Sequence, residues 1–385
     1  MQRIKVLIYT ESWGVGGIEA YVMGILKSLN SNQFGFRVFS VHDTASVFDE
    51  ELAKLGVNRL AVYHNIKPNQ AKRLICGLHA FNDAIREYKP DVVHINTMNG
   101  MGFAYAWVAK RNNVPVRIVH SHNSDVGTNL RNIKRLIGTG GRLIFGGTEN
   151  VRLACSAKAG RYLFNQARFM VVNNGIDTTR FCFSKSFRKE TRERLGIQGN
   201  ATLLGNPSRL SKGKNPLLQL KIFKGLLEIN PNSYYLLMEG QGEIENEVSN
   251  YIQASQIDRH VIRIKPRSDI EKVYSALDLM IFPSEFEGLP FAILEAQSCL
   301  LPVVSSSAVS EEAIVTNLVK RAKSDSVDEY IELAVESLKL ADSREENPSP
   351  LKGSAWDVEK SVSAIEEIYR AAVTDCNDNE RNTPE

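Results

Sequence analysis

Residues 4–29 read IKVLIYTESWGVGGIEAYVMGILKSL. The opening run, 4–10, is largely apolar, as expected of a parallel strand buried on both faces. Gly14, Gly16 and Gly17 then permit a tight turn, and Ile18, Val22, Ile25, Leu26 and Leu29 recur at helical spacing. Strand, glycine turn and helix in this order open a doubly wound α/β sheet.

The pattern repeats outward from this stretch. Strands are predicted at 36–41, 59–63, 91–96, 116–120, 153–156 and 169–173, with helical spacing between several of them. A second series starts near residue 201. Its strands are predicted at 201–205, 234–239, 261–265, 279–282 and 302–305, and its helices at 217–228, 244–255, 269–277 and 291–299. The reading is two Rossmann-like domains, 1–185 and 195–350, hinged near 180–200. Residues 342–353, rich in charge, Pro and Ser, read as a linker. A helix over 356–373 completes the first domain, and 374–385 reads as a disordered polar tail.

A chain of 385 residues suits two such domains. Residues 1–185 carry 24 Lys and Arg against 12 Asp and Glu, a net of +12, while the rest carries 23 against 32, a net of −9. A basic front and an acidic back suggest different partners for the two halves. The five cysteines form no C-x-x-C pair, which points to a reducing compartment and away from zinc or a disulfide framework. No signal peptide and no bilayer-spanning apolar run are evident, so a cytoplasmic chain is expected, with any membrane contact peripheral. The segment 131–142, with Arg131, Lys134, Arg135 and Arg142, reads as a basic, partly amphipathic helix suited to an anionic membrane face. Nucleic-acid binding has no aromatic or motif support.

Residues 283–296, PSEFEGLPFAILEA, carry the strongest chemical signal. Glu287 lies in a loop after a predicted strand and Glu295 on the helix that follows, with Gly288 and Pro290 shaping the turn. Two carboxylates so placed can accept hydrogen bonds from sugar hydroxyls. Residues 208–215, SRLSKGKN, put Arg209, Lys212 and Lys214 in one loop after another predicted strand, which suits a phosphate clamp.

The Glu-x7-Glu element with its flanking Pro-Ser and Glu-Ala resembles that of the family-four retaining glycosyltransferases, which have two facing Rossmann-like domains in the GT-B architecture. The GGIE at 16–19, VHSHN at 119–123 and VSEE at 309–312 resemble the bacterial exopolysaccharide and capsule type, and the likeness spans roughly 4–372. It implies that Glu295 binds the nucleotide ribose, Glu287 and His122 hold the donor sugar, and Arg209 and Lys214 neutralise the diphosphate. It further implies donor contacts from Gly16, Gly17, Gly240, Arg267, Ile270, Gly288, Leu289 and Pro290. His120 is expected to be a packed strand residue. His94 matches a position common in the family but reads as structural. Ser208 and Leu300 stand where the family usually has glycine.

The resemblance implies hexosyl or N-acetylhexosaminyl transfer from a nucleotide-sugar, most simply a UDP-sugar, to a saccharide or polyprenyl-diphosphate-linked acceptor. No cofactor or metal is expected, since no Asp-x-Asp element ends a strand and two cations can carry the metal's charge. Two other readings share the double sheet: a nucleotide-sugar epimerase, and a sugar-nucleotide-binding protein without catalysis.

Overall fold

The computed structural model describes residues 3–381, except 15, 44, 45, 47, 67, 124–130, 198–200, 232 and 286–289, and describes residues 70, 131–135, 137, 342 and 375–381 by backbone alone. The chain divides into two compact units, Met1–Gly175 with Val358–Glu385, and Ile176–Asp357.

The first unit runs through β1 (Ile4–Trp13), α1 (Gly17–Ser28), β2 (Phe34–Asp43), α2 (Asp49–Lys54), β3 (Asn58–His64), α3 (Gln70–Tyr88), β4 (Val92–Thr97), α4 (Gly102–Arg111), β5 (Val116–Ser121), α5 (Arg131–Phe145), β6 (Val151–Ala154), α6 (Ala157–Phe164) and β7 (Met170–Val171). The described residues form a parallel sheet in the order β3-β2-β1-β4-β5-β6-β7. Val6, Leu7 and Ile8 on β1 and Val92, Val93 and Ile95 on β4 are wholly buried, as in strands covered on both faces. Each such side chain stabilises the fold by roughly 1.5–3 kcal/mol relative to exposure. β1 pairs directly with β4, Val6 to Val92 through Tyr9 to Ile95. There the strand order reverses, and ligands of such sheets bind beyond the strand ends at that reversal.

The second unit runs through α7 (Lys185–Arg194), β8 (Thr202–Asn206), α8 (Pro216–Ile229), β9 (Tyr234–Glu239), α9 (Glu245–Ala254), β10 (Val261–Ile264), α10 (Ile270–Ala276), β11 (Leu279–Phe282), α11 (Phe291–Ser298), β12 (Val303–Ser305), β13 (Val319–Arg321) and α12 (Val327–Leu338). Its parallel sheet has the order β10-β9-β8-β11-β12-β13, so β8 and β11 flank the reversal. α8 starts where it does because the Asn215 side chain accepts the Leu218 N–H and Pro216 opens the first turn. Neither β13 nor α12 is among the elements predicted. β13 is only Val-Lys-Arg, with no apolar run to mark it. In α12 the helical spacing of Val327, Ile331, Ala334 and Leu338 was legible.

Three boundaries differ from the sequence reading. The units divide at Gly175 and Ile176, not at 180–200, because α7 is bound into the second unit. Arg188 and Arg192 pair with Asp278 at 2.5 and 3.0 Å, so freeing α7 would strand the buried Asp278 charge without its partners. Residues 342–353 do not form a free linker. Arg344, 8% exposed, donates to the carbonyls of Leu277, Tyr274 and Cys299, and Leu351 is wholly buried. The last helix, α13 (Val358–Arg381), runs well past Thr374, where a tail was expected. It belongs to the first unit, where Ile365 and Tyr369 are wholly buried. Gly175 lies against its start, since a Cβ there would sit 2.6 Å from the Val358 Cα.

The two departures from glycine differ. Leu300, just past α11, holds φ +55, the left-handed region that strains a side chain. Ser208 is not among the residues with positive φ, so its backbone does not require glycine.

Candidate active site

In the second unit the loop after β8 is pinned to the loop after β9. The Leu210 N–H donates to the Gln241 carbonyl at 2.8 Å, and the Ile244 N–H to the Leu210 carbonyl at 3.2 Å. Gly242, at φ +154, makes this approach possible, since a Cβ there would lie 2.2 Å from the Leu210 oxygen. Gly240, the glycine expected to meet the donor, continues the sheet by donating its N–H to the Ile264 carbonyl at 2.8 Å. Arg209 is exposed on the pinned loop. The Lys214 Nζ lies 5.0 Å above the Phe282 ring at the end of β11. Lys212, left open as a rival contact, is exposed, and its backbone N–H donates to Glu243.

The basic loop also meets the loop after β11. The Glu285 N–H donates to the Gly213 carbonyl at 2.9 Å. Segments far apart in sequence thus join across the β8/β11 reversal, where an α/β sheet binds its ligand. Glu287, Gly288 and Leu289 follow immediately but lie outside the described residues. Pro290 is the N-cap of α11. Glu239, at the end of β9, has a buried oxygen without a hydrogen-bond partner among the described residues. Burial raises its pKa against the pull of Arg209.

Glu295 projects from α11 and accepts the Tyr274 hydroxyl at 2.9 Å. Burial pushes its carboxyl up to about 7, opposed by the Tyr274 hydrogen bond and Arg180 and reinforced by Glu271. Arg180 is paired with Glu271 at 2.8 Å. Arg267 clasps Asp269 with two hydrogen bonds, 2.5 and 2.6 Å, so its charge is already met. Asp269 precedes α10 without a side-chain capping bond, and Ile270 is the first residue of that helix.

In the first unit Gly16 is the N-cap of α1, with Gly17 as the first helical residue. The Glu19 carboxylate folds back on the loop and accepts the Gly14 N–H at 3.2 Å. A Cβ on Gly16 would lie 2.7 Å from the other Glu19 oxygen. The chain's own carboxylate is thereby held against the glycine turn that precedes α1.

The histidines gather on β4 and β5, with His94 and His120 in the strands and His122 just past β5. The His122 N–H donates to the Thr97 carbonyl, and its Nε2 bonds the Asn96 Oδ1 at 2.8 Å. His94 Nδ1 meets the Tyr369 hydroxyl of α13 at 2.7 Å, and His94 Nε2 shares a hydrogen bond with His120 Nδ1 at 3.1 Å. The His120 and His122 rings lie 4.1 Å apart. Burial lowers all three pKa values, His94 and His122 to about 3. His122 thus stays neutral and can exchange hydrogen bonds without carrying charge. Asn96, Tyr274, Glu239 and Glu19 were not singled out as site residues. Only Glu19, beside the glycines, carried a signal. The others sit in apolar strands or helices where sequence cannot separate a site residue from core. Among the described residues no three His, Cys, Asp or Glu side chains gather as a metal-binding set.

Residues 15–180 match the family described as Glycosyltransferase Family 4, and residues 187–347 the family described as Glycosyl transferases group 1. The chain is 26% identical over 377 residues to the putative glycosyltransferase EpsF of Bacillus subtilis, covering 95% of this chain and 96% of that protein. It is 32% identical over 155 residues, 39% of each chain, to the UDP-Gal:alpha-D-GlcNAc-diphosphoundecaprenol alpha-1,3-galactosyltransferase of Escherichia coli. Among solved structures, Anabaena Alr3699/HepE in complex with UDP and glucose superposes with a TM-score of 0.75 at 18% identity, covering 96% of this chain and 100% of that one. At that identity the likeness is one of fold.

Proposed function

This chain is a glycosyltransferase of group 1 and family 4, and from that premise we propose that it transfers a sugar from a UDP-sugar, with retention and without a metal, to a saccharide acceptor borne on a polyprenyl diphosphate, in the making of a bacterial surface glycan. The observation that carries the reading is the hydrogen bond from the Glu285 N–H to the Gly213 carbonyl. It joins the loop of Arg209 and Lys214 to the loop that leads to Glu287. A diphosphate between them would meet cations on one side and sugar-binding carboxylates on the other. The choice of uridine draws support from the UDP held by the Anabaena protein. The lipid-linked acceptor draws support from the diphosphoundecaprenol substrate for which the Escherichia coli relative is named.

In this reading Glu295 accepts the ribose hydroxyls, and Arg209 and Lys214 stabilise the charge that grows on the leaving diphosphate. Glu287 and His122 hold the donor sugar. The acceptor hydroxyl attacks the anomeric carbon on the face the diphosphate leaves. The bond from carbon to phosphate oxygen breaks as the new glycosidic bond forms, and the departing phosphate takes the acceptor proton. Gly16, Gly17, Gly240, Arg267, Ile270, Gly288, Leu289 and Pro290 complete the donor contacts.

The acceptor calls for a membrane surface. No helix among the described residues is long and apolar enough to cross a membrane. α5 offers a peripheral contact at the inner face, since Leu136, Leu143 and Ile144 are 73%, 76% and 72% exposed on a helix that also bears Arg142. Leu143→Glu with Ile144→Glu is expected to release the protein from anionic vesicles, and retention by those vesicles would end the membrane reading.

The decisive test is saturation-transfer NMR against UDP-, GDP- and ADP-sugars, with and without EDTA. Binding of UDP-sugars that survives EDTA is the expected result. Absence of any nucleotide-sugar binding would overturn the site.

A further inference from the structure

Tyr274 sits on α10, 2% exposed, and its ring packs 6.1 Å from that of Phe181. Its one polar atom is aimed at Glu295, whose Oε2 accepts the hydroxyl at 2.9 Å. Burial and the Glu295 charge hold the Tyr274 pKa well above its ordinary value, so the phenol stays a donor. The charged and titratable groups facing Glu295 are Tyr274 and Glu271 on α10, Arg180 from the segment before α7, and Cys299 just after α11. Arg180 is already engaged by Glu271. Among these groups the phenol alone holds the Glu295 carboxylate by a hydrogen bond.

A ribose presents two neighbouring hydroxyls, and a carboxylate reads them best when ionised and held in one plane. With Oε2 anchored, rotation about the terminal torsion is restricted, which sets the plane in which the remaining lone pairs lie. We propose that Tyr274 is a positioning residue for donor binding, its hydroxyl fixing the Glu295 carboxylate in the orientation that receives the ribose diol. The inference rests on Glu295 as the ribose-binding residue. Because Tyr274 acts through Glu295, remote from the reacting carbon, its loss weakens donor affinity more than turnover. The same hydrogen bond favours the ionised carboxylate. A carboxyl that titrates at about 7 makes affinity fall as the pH drops through that value.

The test is the affinity for UDP-glucose, whose diphosphate does not titrate near neutrality, measured by calorimetry from weakly acidic to alkaline pH. The unmutated protein should lose affinity as Glu295 protonates. Tyr274→Phe keeps the ring packing. It should bind roughly tenfold more weakly in alkali, the size of one lost hydrogen bond to a charged group, and its acid limb should move to higher pH. Glu295→Gln should weaken binding and abolish the acid limb. If Glu295→Gln weakens binding while Tyr274→Phe keeps the unmutated affinity and midpoint, Tyr274 has no positioning role although the ribose reading stands. If Glu295→Gln binds as the unmutated protein does, or that protein does not bind UDP-glucose, the ribose reading itself falls. Should the Phe variant not fold, the unmutated protein still decides, because an affinity flat across neutral pH overturns the coupling.

Discussion

His122 donates its Nε2–H to the Oδ1 of Asn96 at 2.8 Å, and the geometry leaves no other arrangement for the neutral ring. The Asn96 Nδ2 must face the Tyr9 carbonyl, 3.2 Å away, because two oxygens would repel. Asn96 Oδ1 is therefore the acceptor, the proton sits on Nε2, and the buried Nδ1 faces the Asn174 side chain. Nitrogen-resolved NMR should find the Nε2–H tautomer in the unmutated protein. Asn96→Leu should scramble the tautomer and lower the transfer rate about tenfold, one hydrogen bond's worth. A ring protonated on Nδ1 in the unmutated protein would contradict this assignment.

The three histidines also set acid stability. Their folded pKa values lie below the ordinary 6.5, at about 3 for His94 and His122 and well below 6.5 for His120. The unfolded chain therefore binds more protons once the pH drops under 6.5, and stability is full above that value and lost progressively toward the folded values. Each group adds up to about 1.36 kcal/mol per pH unit. Denaturant melts between weakly acidic and neutral pH should show this fall. His94→Gln should flatten it, and an unchanged slope would exclude His94 as a contributor.

Arg209 and Lys214 are expected to act on the leaving group rather than on folding, since Arg209 is exposed and Lys214 lies over the Phe282 ring at a loop. Alanine at either position should lower kcat/KM about a hundredfold or more, as loss of one preorganised charge-stabilising group does, with little change in Tm. Lys212→Ala should stay near full activity. A profile reversed between Lys212 and Lys214 would move the clamp to Lys212. EDTA should leave the rate of the unmutated enzyme unchanged.

Leu300 is strained at φ +55. Leu300→Gly should relieve a left-handed conformation that costs roughly 1–2 kcal/mol in a side-chain-bearing residue. Part of that gain is offset by the freedom glycine adds to the unfolded chain, about 0.4–1 kcal/mol. The expected net is a rise of up to about 1.6 kcal/mol in a chemical melt. A destabilised variant would mean that packing of the Leu300 side chain outweighs the strain.

How much was legible beforehand follows from where each signal resides. The apolar runs of β1 and β4, the glycines at 14–17 and the helical spacing after them are local properties, and a buried parallel strand can hardly be written otherwise. So the double α/β sheet and the two charged loops at its strand ends, SRLSKGKN and PSEFEGLPFAILEA, could be read directly. Boundaries were harder. α7 looks like a polar hinge until Asp278, some ninety residues on, gathers Arg188 and Arg192. The stretch 342–353 looks like a linker until Arg344 finds three carbonyl partners.

The sequence by itself thus determined the fold class, because periodicity and short-range spacing encode it, and its short motifs carried the resemblance to the family. Only the tertiary structure decided that Asn96 selects the tautomer of His122, that Tyr274 holds Glu295, that Gly242 rather than Gly240 is the glycine its loop requires, and that Glu19 folds back on the glycine turn before the first helix. These are hydrogen bonds and close approaches, most of them between residues distant in the chain. A polar atom buried among apolar neighbours carries no mark in the sequence until folding brings its partner to it.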